Sequence, residues 1–254
     1  MSSIPPTIHY CWFGGGPKPA LAERCLASWR RYLPEHELRE WNEGSFDISN
    51  PPYVREAYRL KKYAFVADYV RLHALQTHGG IYLDTDVELL RNPDTVLTAP
   101  AVLGFETPER VCSAFLAFAP GHELIHEWLE TYRNRSFLRD GKPDETTNVQ
   151  VLTKLLRSRG LVLDGTEQRL RGGIVVYPQD VFSPYTYGER KPRTTARTVA
   201  IHWLEASWAT GSTRAKLVGI QAIKRLFGAG FYHWLRRIWS ASRRRRANRG
   251  DRLA

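Results

Sequence analysis

The sequence predicts an α/β domain built around a largely parallel sheet, and three observations lead to this fold class. Residues 7–41 show a strand–helix–strand order, which is the usual beginning of a parallel α/β sheet. Later segments continue to alternate between apolar strands and helices with an apolar stripe. Hydrophobic residues make up 43% of the chain and charged residues 25%, which is typical of a folded protein rather than a disordered one.

Each predicted element follows from a residue pattern. Strands are predicted where short runs of β-branched, aromatic or other apolar residues end at glycine, proline or polar residues. Helices are predicted where apolar residues recur every three or four positions, and His78-Gly79-Gly80 is expected to end the third helix as a glycine cap. The predicted strands are Thr7–Phe13, Glu37–Trp41, Ile81–Leu83, Val102–Phe105, Ala114–Ala119, Ile174–Tyr177 and Val199–Trp203. The predicted helices are Pro19–Tyr32, Tyr53–Leu60, Lys62–Thr77, His122–Tyr132 and Asn148–Arg159.

The distribution of charge divides the chain into a neutral body, residues 1–213, and a basic tail, residues 214–254. The chain holds 37 Lys and Arg against 26 Asp and Glu. Twelve of these bases and the single acid Asp251 fall in the tail, so the whole net charge of +11 lies there. A nucleic-acid-binding domain concentrates positive charge on a folded face, so this distribution argues against such a protein.

Two aspartates after the strand Ile81–Leu83 are the strongest candidates for a metal site. Asp84 and Asp86 leave the strand end two residues apart, where a divalent cation can bridge them to an anionic ligand. Mg²⁺ and Mn²⁺ prefer such hard oxygen ligands and commonly keep substrate phosphates among them. An isolated Asp-x-Asp pair is common in loops, but the apolar strand before this one favours a metal site.

Asp68 and Arg71 lie on the helix that leads into this strand. Their spacing of three is compatible with a surface ion pair, which would contribute only about 0.5 kcal/mol. The helix runs into the strand through a tight Gly-Gly turn, however, so both charges are also expected near Asp84. In that case an acid that accepts hydrogen bonds from sugar hydroxyls and an arginine that faces phosphate would divide the recognition of a ligand.

Two further side chains at strand ends have alternative interpretations. Trp12 is either a core residue or, at the carboxyl edge of the sheet where α/β proteins bind ligands, a surface for a nucleobase. His202 is either a hydrogen-bonded core residue or a metal ligand.

Other features bear on the cellular compartment. Cys11, Cys25 and Cys112 are too few and too scattered for a disulfide framework or a zinc site, so a reduced, cytoplasmic compartment is expected. The first residues show no signal-peptide pattern, and no run of about 18 apolar residues predicts a membrane span. In the tail, apolar residues such as Trp234 recur at helical spacing between bases. This amphipathic helical tail is expected either to lie on an anionic membrane surface or to pack on the body.

Four segments, in this order along the chain, resemble glycosyltransferase family 32, the group with a sugar-binding region that contains a DXD motif. The group includes capsular-polysaccharide transferases, and it is similar, more distantly, to the sugar-transferring domain of glucosylating bacterial toxins. The resemblance covers about residues 4–210. The four segments are Ile8–Gly14, Lys62–Arg71, Gly79–Asp86 and the late His202-Trp203 with Ser207-Trp208.

The resemblance implies a GT-A fold with a mixed, mostly parallel central sheet and a bound Mn²⁺ or Mg²⁺. It places Asp68 and Arg71 against the sugar and phosphates of the donor and makes Asp86 the direct metal ligand. The other implied donor contacts are Trp12 to the base, Tyr82 and Asp84 to the ribose or sugar, and Ser207 and Trp208 in a loop over the diphosphate.

Two implied positions are less direct. Toxin-like members carry a glutamate where this chain has Leu204, so His202 becomes the candidate for the remaining metal ligand beside Asp84 and Asp86. Asn148 resembles a position near the acceptor side of the sugar. The alternative for Asn148 is a solvent-facing amide at the start of a helix capped by Thr147.

The resemblance, taken together with these residues, implies a metal-dependent, retaining hexosyltransferase with Asp68, Arg71, Asp86 and Asn148 as catalytic residues. It is expected to move a sugar from a nucleotide-sugar donor to a glycan or lipid-linked acceptor, in capsular or other cell-surface polysaccharide synthesis at the inner face of the cell membrane. Nucleic acid is not an expected partner. The alternatives are a nucleic-acid-binding protein that acts through the tail, and a metal-dependent phosphohydrolase, which would need a second cluster of acids.

Overall fold

The computed structural model of the chain describes residues 4–186, 189 and 191–204. Ser207, Trp208 and the basic tail 214–254 lie outside the described residues, and the predictions made for them stay predictions. The chain divides into two compact units. The described part of the first comprises residues 4–184 and 193–204. In the second, within the segment 185–192, the Tyr185 hydroxyl donates to the Glu189 carbonyl oxygen at 3.2 Å.

The helices of the described residues agree closely with the predicted ones. They are α1 (Ala20–Tyr32), α2 (Pro52–Arg59), α3 (Tyr63–His78), α4 (Glu123–Glu130), α5 (Asn148–Ser158) and α6 (Gln179–Phe182). The helix α6 was not predicted, because a single turn after Pro178 is too short to show helical periodicity. A turn of 3₁₀-helix at Pro93–Thr95 was also not predicted.

All seven predicted strands are present in the described residues. The full set is β1 (Thr7–Cys11), β2 (Glu37–Trp41), β3 (Gly80–Leu83), β4 (Val87–Leu89), β5 (Ala101–Thr107), β6 (Arg110–Val111), β7 (Phe115–Phe118), β8 (Leu138–Arg139), β9 (Lys142–Pro143), β10 (Gln168–Leu170), β11 (Ile174–Tyr177) and β12 (Ala200–His202). The five additional strands, β4, β6, β8, β9 and β10, contain only two or three residues each, which is too few for an alternating pattern.

The central sheet is mixed, as expected, and has the order β10-β11-β5-β7-β3-β1-β2, with β6 paired to β5. Strand β1 is parallel to both β2 and β3, and β11 is parallel to β5. Strand β7 lies between β3 and β5 and is antiparallel to both. The carboxyl ends of β1, β2, β3, β5 and β11 therefore share one edge of the sheet, and the amino end of β7 lies at the same edge. Strands β4 and β12 form a separate antiparallel pair, as do β8 and β9.

Two hydrophobic cores cover the two faces of the sheet, because consecutive strand residues point to opposite faces. On β3, the buried Tyr82 packs into the core formed with α2, α3, α4 and α5. Its neighbours Ile81 and Leu83 pack into the other core, formed with α1, α6, β4 and β12. In that second core the buried Trp29 of α1 donates its indole N–H to the Val87 carbonyl oxygen at 2.8 Å, which fixes α1 against β4.

A pair of glycines makes the turn between α3 and β3 and so fixes where the chain enters the strand. The Gly79 N–H donates to the Leu75 carbonyl oxygen at 2.9 Å with Gly79 at φ 62°, so the predicted glycine cap is confirmed. Gly80 has φ 98°, and a Cβ atom at this position would lie 2.6 Å from the Thr7 carbonyl oxygen. A side chain at position 80 would thus collide with the backbone of β1.

The buried side chain of His9 ties this turn to β1 and β2. Its Nδ1 accepts a hydrogen bond from the Trp41 indole N–H at 3.1 Å, so Nε2 carries the proton and donates to the Gly79 carbonyl oxygen at 2.9 Å. Burial lowers the pKa of His9 to about 4. The imidazole is therefore neutral at pH 7 and acts as a fixed connector between three elements.

Candidate active site

Side chains from several strands meet at the edge where the parallel strands end. Trp12 follows β1, Asp84 follows β3, and Glu106 lies near the end of β5. The short strand β12 brings His202 opposite Val87, one residue after Asp86. The topology thus gathers residues that are far apart in sequence at the place where open α/β sheets bind ligands.

Asp84, Asp86 and His202 form a group with the composition of a metal site. One ligand atom of each residue lies within 4.8 Å of the others. His202 Nε2 is 3.4 Å from Asp86 Oδ1, and the Trp203 N–H donates to the Asp86 carbonyl oxygen at 3.0 Å. The prediction that these three residues lie together is therefore confirmed, whereas their role as ligands stays a prediction.

The donor set fits Mn²⁺ or Mg²⁺. Carboxylate oxygen and imidazole nitrogen bind such ions at about 2.0–2.2 Å, which places adjacent ligand atoms about 3 Å apart. The separation of 3.4 Å between Asp86 and His202 matches this spacing better than it matches a short charge-assisted hydrogen bond. Burial alone would lower the pKa of His202, but the Asp86 carboxylate raises this pKa well above its usual value. The Asp86 carboxylate thus stabilises a positive charge placed next to His202.

Arg71 joins Asp68 of the same helix to Asp84 at the end of β3. Its guanidinium Nη2 lies 2.9 Å from Asp68 Oδ1 and 3.2 Å from Asp84 Oδ1. Arg71 is only 4% exposed, and its Nη1 also donates to the Ser113 carbonyl oxygen at 2.7 Å. The alternative of a surface ion pair is therefore wrong, and the expectation that both charges approach the aspartates is confirmed. The physical reason is the Gly-Gly turn, which directs the inner face of α3 toward the strand end.

The electrostatics of this buried pair are strongly perturbed. Burial raises the pKa of Asp68 to about 6, although the Arg71 guanidinium acts in the opposite direction. Burial also acts to lower the pKa of Arg71, but Asp84 and Asp68 together hold it well above its usual value. Arg71 is therefore a permanent positive charge between two carboxyl groups.

Tyr82 fixes the orientation of the first aspartate. Its hydroxyl donates to Asp84 Oδ1 at 2.9 Å, and its ring lies under the Arg71 guanidinium at 4.7 Å from the ring centroid. Tyr82 is 1% exposed, so the ring and its hydroxyl belong to the core beneath the site. The structure places Tyr82 beside Asp84, with a contact to the aspartate that the sequence pattern did not reveal.

Asn148 lies buried behind Asp68 rather than in solvent. Its Oδ1 accepts hydrogen bonds from the Tyr132 hydroxyl at 2.7 Å and from the Trp128 indole N–H at 3.1 Å. Its Nδ2 donates to the Asp68 carbonyl oxygen at 2.8 Å. The alternative with a solvent-facing amide and a Thr147 cap is wrong, since Asn148 is 1% exposed and Thr147 makes no side-chain cap bond. The amide instead fixes the backbone of α3 at Asp68.

Trp12 is half-buried at the carboxyl end of β1, so the alternative of a core residue is wrong. Its indole N–H donates to the Gly16 carbonyl oxygen at 2.7 Å, which holds the ring against the glycine loop. The ammonium group of Lys18 lies 5.7 Å from the Trp12 ring centroid and 2.7 Å from Glu40 Oε2. The indole ring of Trp12 offers a surface on which a planar ligand ring can stack. The ammonium group of Lys18 beside it is suited to anionic groups on the same ligand.

Two residues at this site, Glu106 and Cys112, were not predicted from the sequence. Both lie near the second ring nitrogen of His202: Cys112 Sγ is 3.7 Å and Glu106 Oε1 is 4.0 Å from Nδ1. Burial raises the pKa of Glu106, although the positive charge of His202 opposes this effect. Glu106 comes directly after the predicted strand Val102–Phe105, so the rule that drew attention to Asp84 would also have found it. Nothing in the sequence pattern pointed to Cys112.

The strand that carries His202 is anchored by its next residue. The Trp203 indole N–H donates to Glu88 Oε2 at 2.9 Å, and the Arg24 guanidinium stacks 4.9 Å from the Trp203 ring centroid. Arg24 Nη2 also contacts the same Glu88 oxygen at 3.2 Å. These contacts fix β12 beside β4 and thereby the position of the His202 ring.

Among the described residues, none of the helices is both long and apolar enough to cross a membrane.

The chain is similar in sequence to known glycosyltransferases. Residues 19–103 match the family described as "Glycosyltransferase sugar-binding region containing DXD motif". The chain is 29% identical over 140 residues to inositol phosphoceramide mannosyltransferase 3 of Schizosaccharomyces pombe, which covers 52% of this chain and 37% of that protein. It is 26% identical over 176 residues to lactosylceramide 4-alpha-galactosyltransferase of Homo sapiens, which covers 62% of this chain and 47% of that protein. The chain therefore spans less than half the length of either relative.

A solved structure of PaToxG glycosyltransferase gives a TM-score of 0.43 at 16% sequence identity. The superposed region covers 61% of this chain and 68% of that chain.

Proposed function

We propose that this chain, whose residues 19–103 match the glycosyltransferase family with a DXD-containing sugar-binding region, transfers a hexose from a nucleotide-sugar donor with the help of Mn²⁺ or Mg²⁺. The observation that carries this proposal is the group Asp84, Asp86 and His202, which lies beside the buried Arg71 at the carboxyl edge of the sheet. Positive charge and hard ligands together suit a diphosphate that arrives with a divalent cation.

The proposed fold is of the GT-A type, with residues 1–213 as the catalytic domain. Two properties of the described chain support it: a mixed sheet with five strands that end at one edge, and an Asp-x-Asp pair directly after one of these strands. Ligands of open α/β sheets bind outside the carboxyl ends of the strands, so we place the donor at this edge.

In this proposal Asp86 and His202 would hold the cation, with Asp84 as the third member of the group. A bound divalent cation supplies charge neutralisation for the diphosphate leaving group. Asp84 is itself oriented by Tyr82 and Arg71, so its carboxylate keeps one defined position toward the cation or the donor ribose. His202 is fixed by the pairing of β12 with β4.

Arg71 stabilises the negative charge that develops on the β-phosphate as the bond between this phosphate and the sugar of the donor breaks. A pair of unit charges about 4 Å apart in an effective dielectric near 20 is worth about 4 kcal/mol, so a fixed guanidinium is effective here. Asp68 accepts hydrogen bonds from donor sugar hydroxyls. Asn148 acts on Asp68 through the backbone, so we propose it as a positioning residue instead of a group that contacts the substrate.

The rest of the donor is proposed to lie along the same edge. Trp12 stacks on the nucleobase, with its ring held by the Gly16 carbonyl oxygen. Ser207 and Trp208 are proposed to close over the diphosphate. Transfer is proposed to retain the anomeric configuration by front-face substitution, in which the leaving phosphate takes the proton of the acceptor hydroxyl.

The proposed acceptor is a glycan or a lipid-linked saccharide, in capsular or other cell-surface polysaccharide synthesis. The names of the two relatives refer to ceramide lipids, lactosylceramide and inositol phosphoceramide, which supports a lipid-linked acceptor. The tail 214–254 is proposed to bring the enzyme to the inner face of an anionic membrane, where such acceptors lie. The expected loss of liposome binding after deletion of 214–254 tests this part of the proposal.

The central test measures donor binding and donor hydrolysis with a panel of UDP- and GDP-sugars in the presence of Mn²⁺. One donor is expected to raise the melting temperature of the wild-type protein, because ligand binding stabilises the native state, and to release its nucleoside diphosphate. The Asp86→Asn variant is expected to lose about a hundredfold or more in hydrolysis rate while its circular dichroism spectrum is retained.

The matched control is Asp164→Asn, which makes the same chemical change in a surface turn where the carboxylate accepts bonds from Thr166. This variant is expected to behave like the wild type. Full hydrolysis by Asp86→Asn would contradict the proposal. Release of inorganic phosphate instead of a nucleoside diphosphate would favour a phosphohydrolase.

A further inference from the structure

We propose that Cys112, His202 and Glu106 form a second cation site, which prefers soft divalent ions such as Zn²⁺ or Cd²⁺. This site shares His202 with the proposed Mn²⁺ or Mg²⁺ site, so a soft ion bound there is a competitive inhibitor against Mn²⁺. The existence of the site is independent of the proposed function; only the inhibition of sugar transfer rests on that function.

The hairpin of β5 and β6 builds this site. Phe105 pairs with Val111 and Thr107 pairs with Arg110, so Glu106 is the extra residue of a β-bulge between these two pairs. A bulge redirects the side chain of the extra residue, and bulges are common beside active sites. The Cys112 N–H donates to the Gly104 carbonyl oxygen at 2.8 Å, which continues the ladder past the bulge.

The distances agree with tetrahedral coordination. Zinc binds cysteine sulfur at about 2.3 Å and histidine nitrogen at about 2.05 Å, so two such ligands lie about 3.6 Å apart. Cys112 Sγ and His202 Nδ1 are separated by 3.7 Å. Glu106 Oε1 lies 4.0 Å from the same nitrogen, against about 3.4 Å for an oxygen and a nitrogen on one zinc ion. The three ligand atoms lie within 4.8 Å of one another, so a small rotation of the Glu106 side chain completes the set.

Cys112 is buried beside His202 in a fixed position. Its side chain is 1% exposed, and its sulfur accepts a hydrogen bond from the Ala114 N–H at 3.4 Å. A buried sulfur, an imidazole nitrogen and a carboxylate oxygen are the ligand types of zinc sites in proteins. This ligand set differs from the group around Asp86, which is rich in oxygen. Soft ions prefer sulfur ligands and Mg²⁺ and Mn²⁺ prefer oxygen ligands, so the two sites are expected to select different ions.

The shared histidine makes the two sites mutually exclusive. His202 presents Nε2 to Asp86 and Nδ1 to Cys112, so the two ions would lie on opposite sides of one imidazole ring. Two divalent cations at such a short distance repel strongly, even in a polar surrounding. Binding of a soft ion therefore weakens the binding of Mn²⁺ and removes a ligand from the proposed catalytic centre.

The first test uses Co²⁺ as a spectroscopic substitute for Zn²⁺ on the full chain, without any substrate. A thiolate-to-cobalt charge-transfer absorption is expected for the wild type, and Zn²⁺ is expected to abolish it by displacement. The Cys112→Ala variant is expected to lack this absorption, whereas Cys25→Ala, which removes another fully buried thiol from α1, retains it. A charge-transfer band that persists in Cys112→Ala, or that never forms in the wild type, overturns the proposal.

The second test measures competition between ions. Paramagnetic resonance of free Mn²⁺ gives its dissociation constant, which is expected to rise with added Zn²⁺ in the wild type. In Cys112→Ala the factor by which Zn²⁺ raises the Mn²⁺ dissociation constant, relative to the Zn²⁺-free value of the same variant, is expected to fall at least about tenfold. If Cys112→Ala fails to fold, Glu106→Gln is expected to weaken Zn²⁺ binding while Mn²⁺ binding persists.

Equal sensitivity of Mn²⁺ binding to Zn²⁺ in the wild type and in the folded variant refutes the site. If the wild type binds Zn²⁺ as expected but hydrolyses no donor, the proposed function fails and the site stands.

Discussion

The buried imidazole of His9 is expected to make the stability of the folded chain depend on pH between 6.5 and about 4. In the folded chain the neutral ring accepts from Trp41 and donates to the carbonyl oxygen of Gly79, at the turn into the strand that carries Asp84. Protonation at Nδ1 would remove the acceptor and place a positive charge in a fully buried position. Acid therefore acts directly on the turn that positions the candidate active site.

The size of this effect follows from the pKa of His9, which burial lowers to about 4 from an ordinary value of 6.5. Between these two pH values the unfolded chain binds the proton and the folded chain does not, so the free energy of unfolding decreases as the pH falls. The full gap corresponds to about 3 kcal/mol, which is a large part of the stability of an ordinary domain. Above pH 6.5 the imidazole is neutral in both states and this dependence disappears.

Urea denaturation at a series of pH values between about 7.5 and about 4 measures this contribution. The wild type is compared with His9→Gln, which cannot be protonated, and with His126→Gln, which changes an exposed residue of α4. The difference between wild type and His9→Gln is expected to shrink as the pH falls, while His126→Gln follows the wild type. Parallel curves for wild type and His9→Gln would refute the argument, since the other histidines are present in both proteins.

Three further variants test contacts that support the site. Asn148→Ala leaves a buried tyrosine hydroxyl and an indole N–H without their acceptor, so the free energy of unfolding is expected to fall by about 2 kcal/mol or more in urea titrations, with a lower rate of donor hydrolysis. Gly80→Ala is expected to destabilise the chain far more than Gly121→Ala: both glycines have positive φ, but an added Cβ collides with backbone only at position 80. Trp203→Phe removes the hydrogen bond to Glu88 and is expected to lower the free energy of unfolding by about 1 kcal/mol, while wild-type stability would show that the bond is not needed.

The elements that the sequence predicted correctly are those with a strong local pattern. The apolar stripe of α3, the glycine turn and the short strand before Asp84 are adjacent in sequence, so their geometry follows from local rules. The expected approach of Asp68 and Arg71 to the strand end was correct for the same reason. In the structure Arg71 is buried and contacts Asp84 directly.

The features that the sequence did not predict depend on contacts between distant residues. The direction of β7 follows from its pairing with both β3 and β5, and nothing in the segment Phe115–Phe118 alone specifies it. The neighbours of His202 come from a bulge in β5 and from the residue after β6, about 90 positions earlier in the chain. Asn148 looked like a helix-start residue, but its partners on α4 and α3 are fixed by tertiary packing.

The excess of carboxyl groups at the candidate site is expected to couple the binding of a cation to the binding of a diphosphate. In the described part of the chain, four carboxyl groups gather there, those of Asp68, Asp84, Asp86 and Glu106, with Arg71 as the permanent positive charge among them. Close carboxylates repel one another, so an added divalent cation lowers the energy of the acids, and an added diphosphate alone raises it. A cation and a diphosphate that enter together compensate both effects. Mn²⁺ is therefore expected to tighten binding of the nucleoside diphosphate, and by linkage the nucleotide must tighten Mn²⁺ binding by the same factor. Calorimetric titrations of each ligand in the presence and absence of the other test this equality, and independent binding of the two would contradict a shared site.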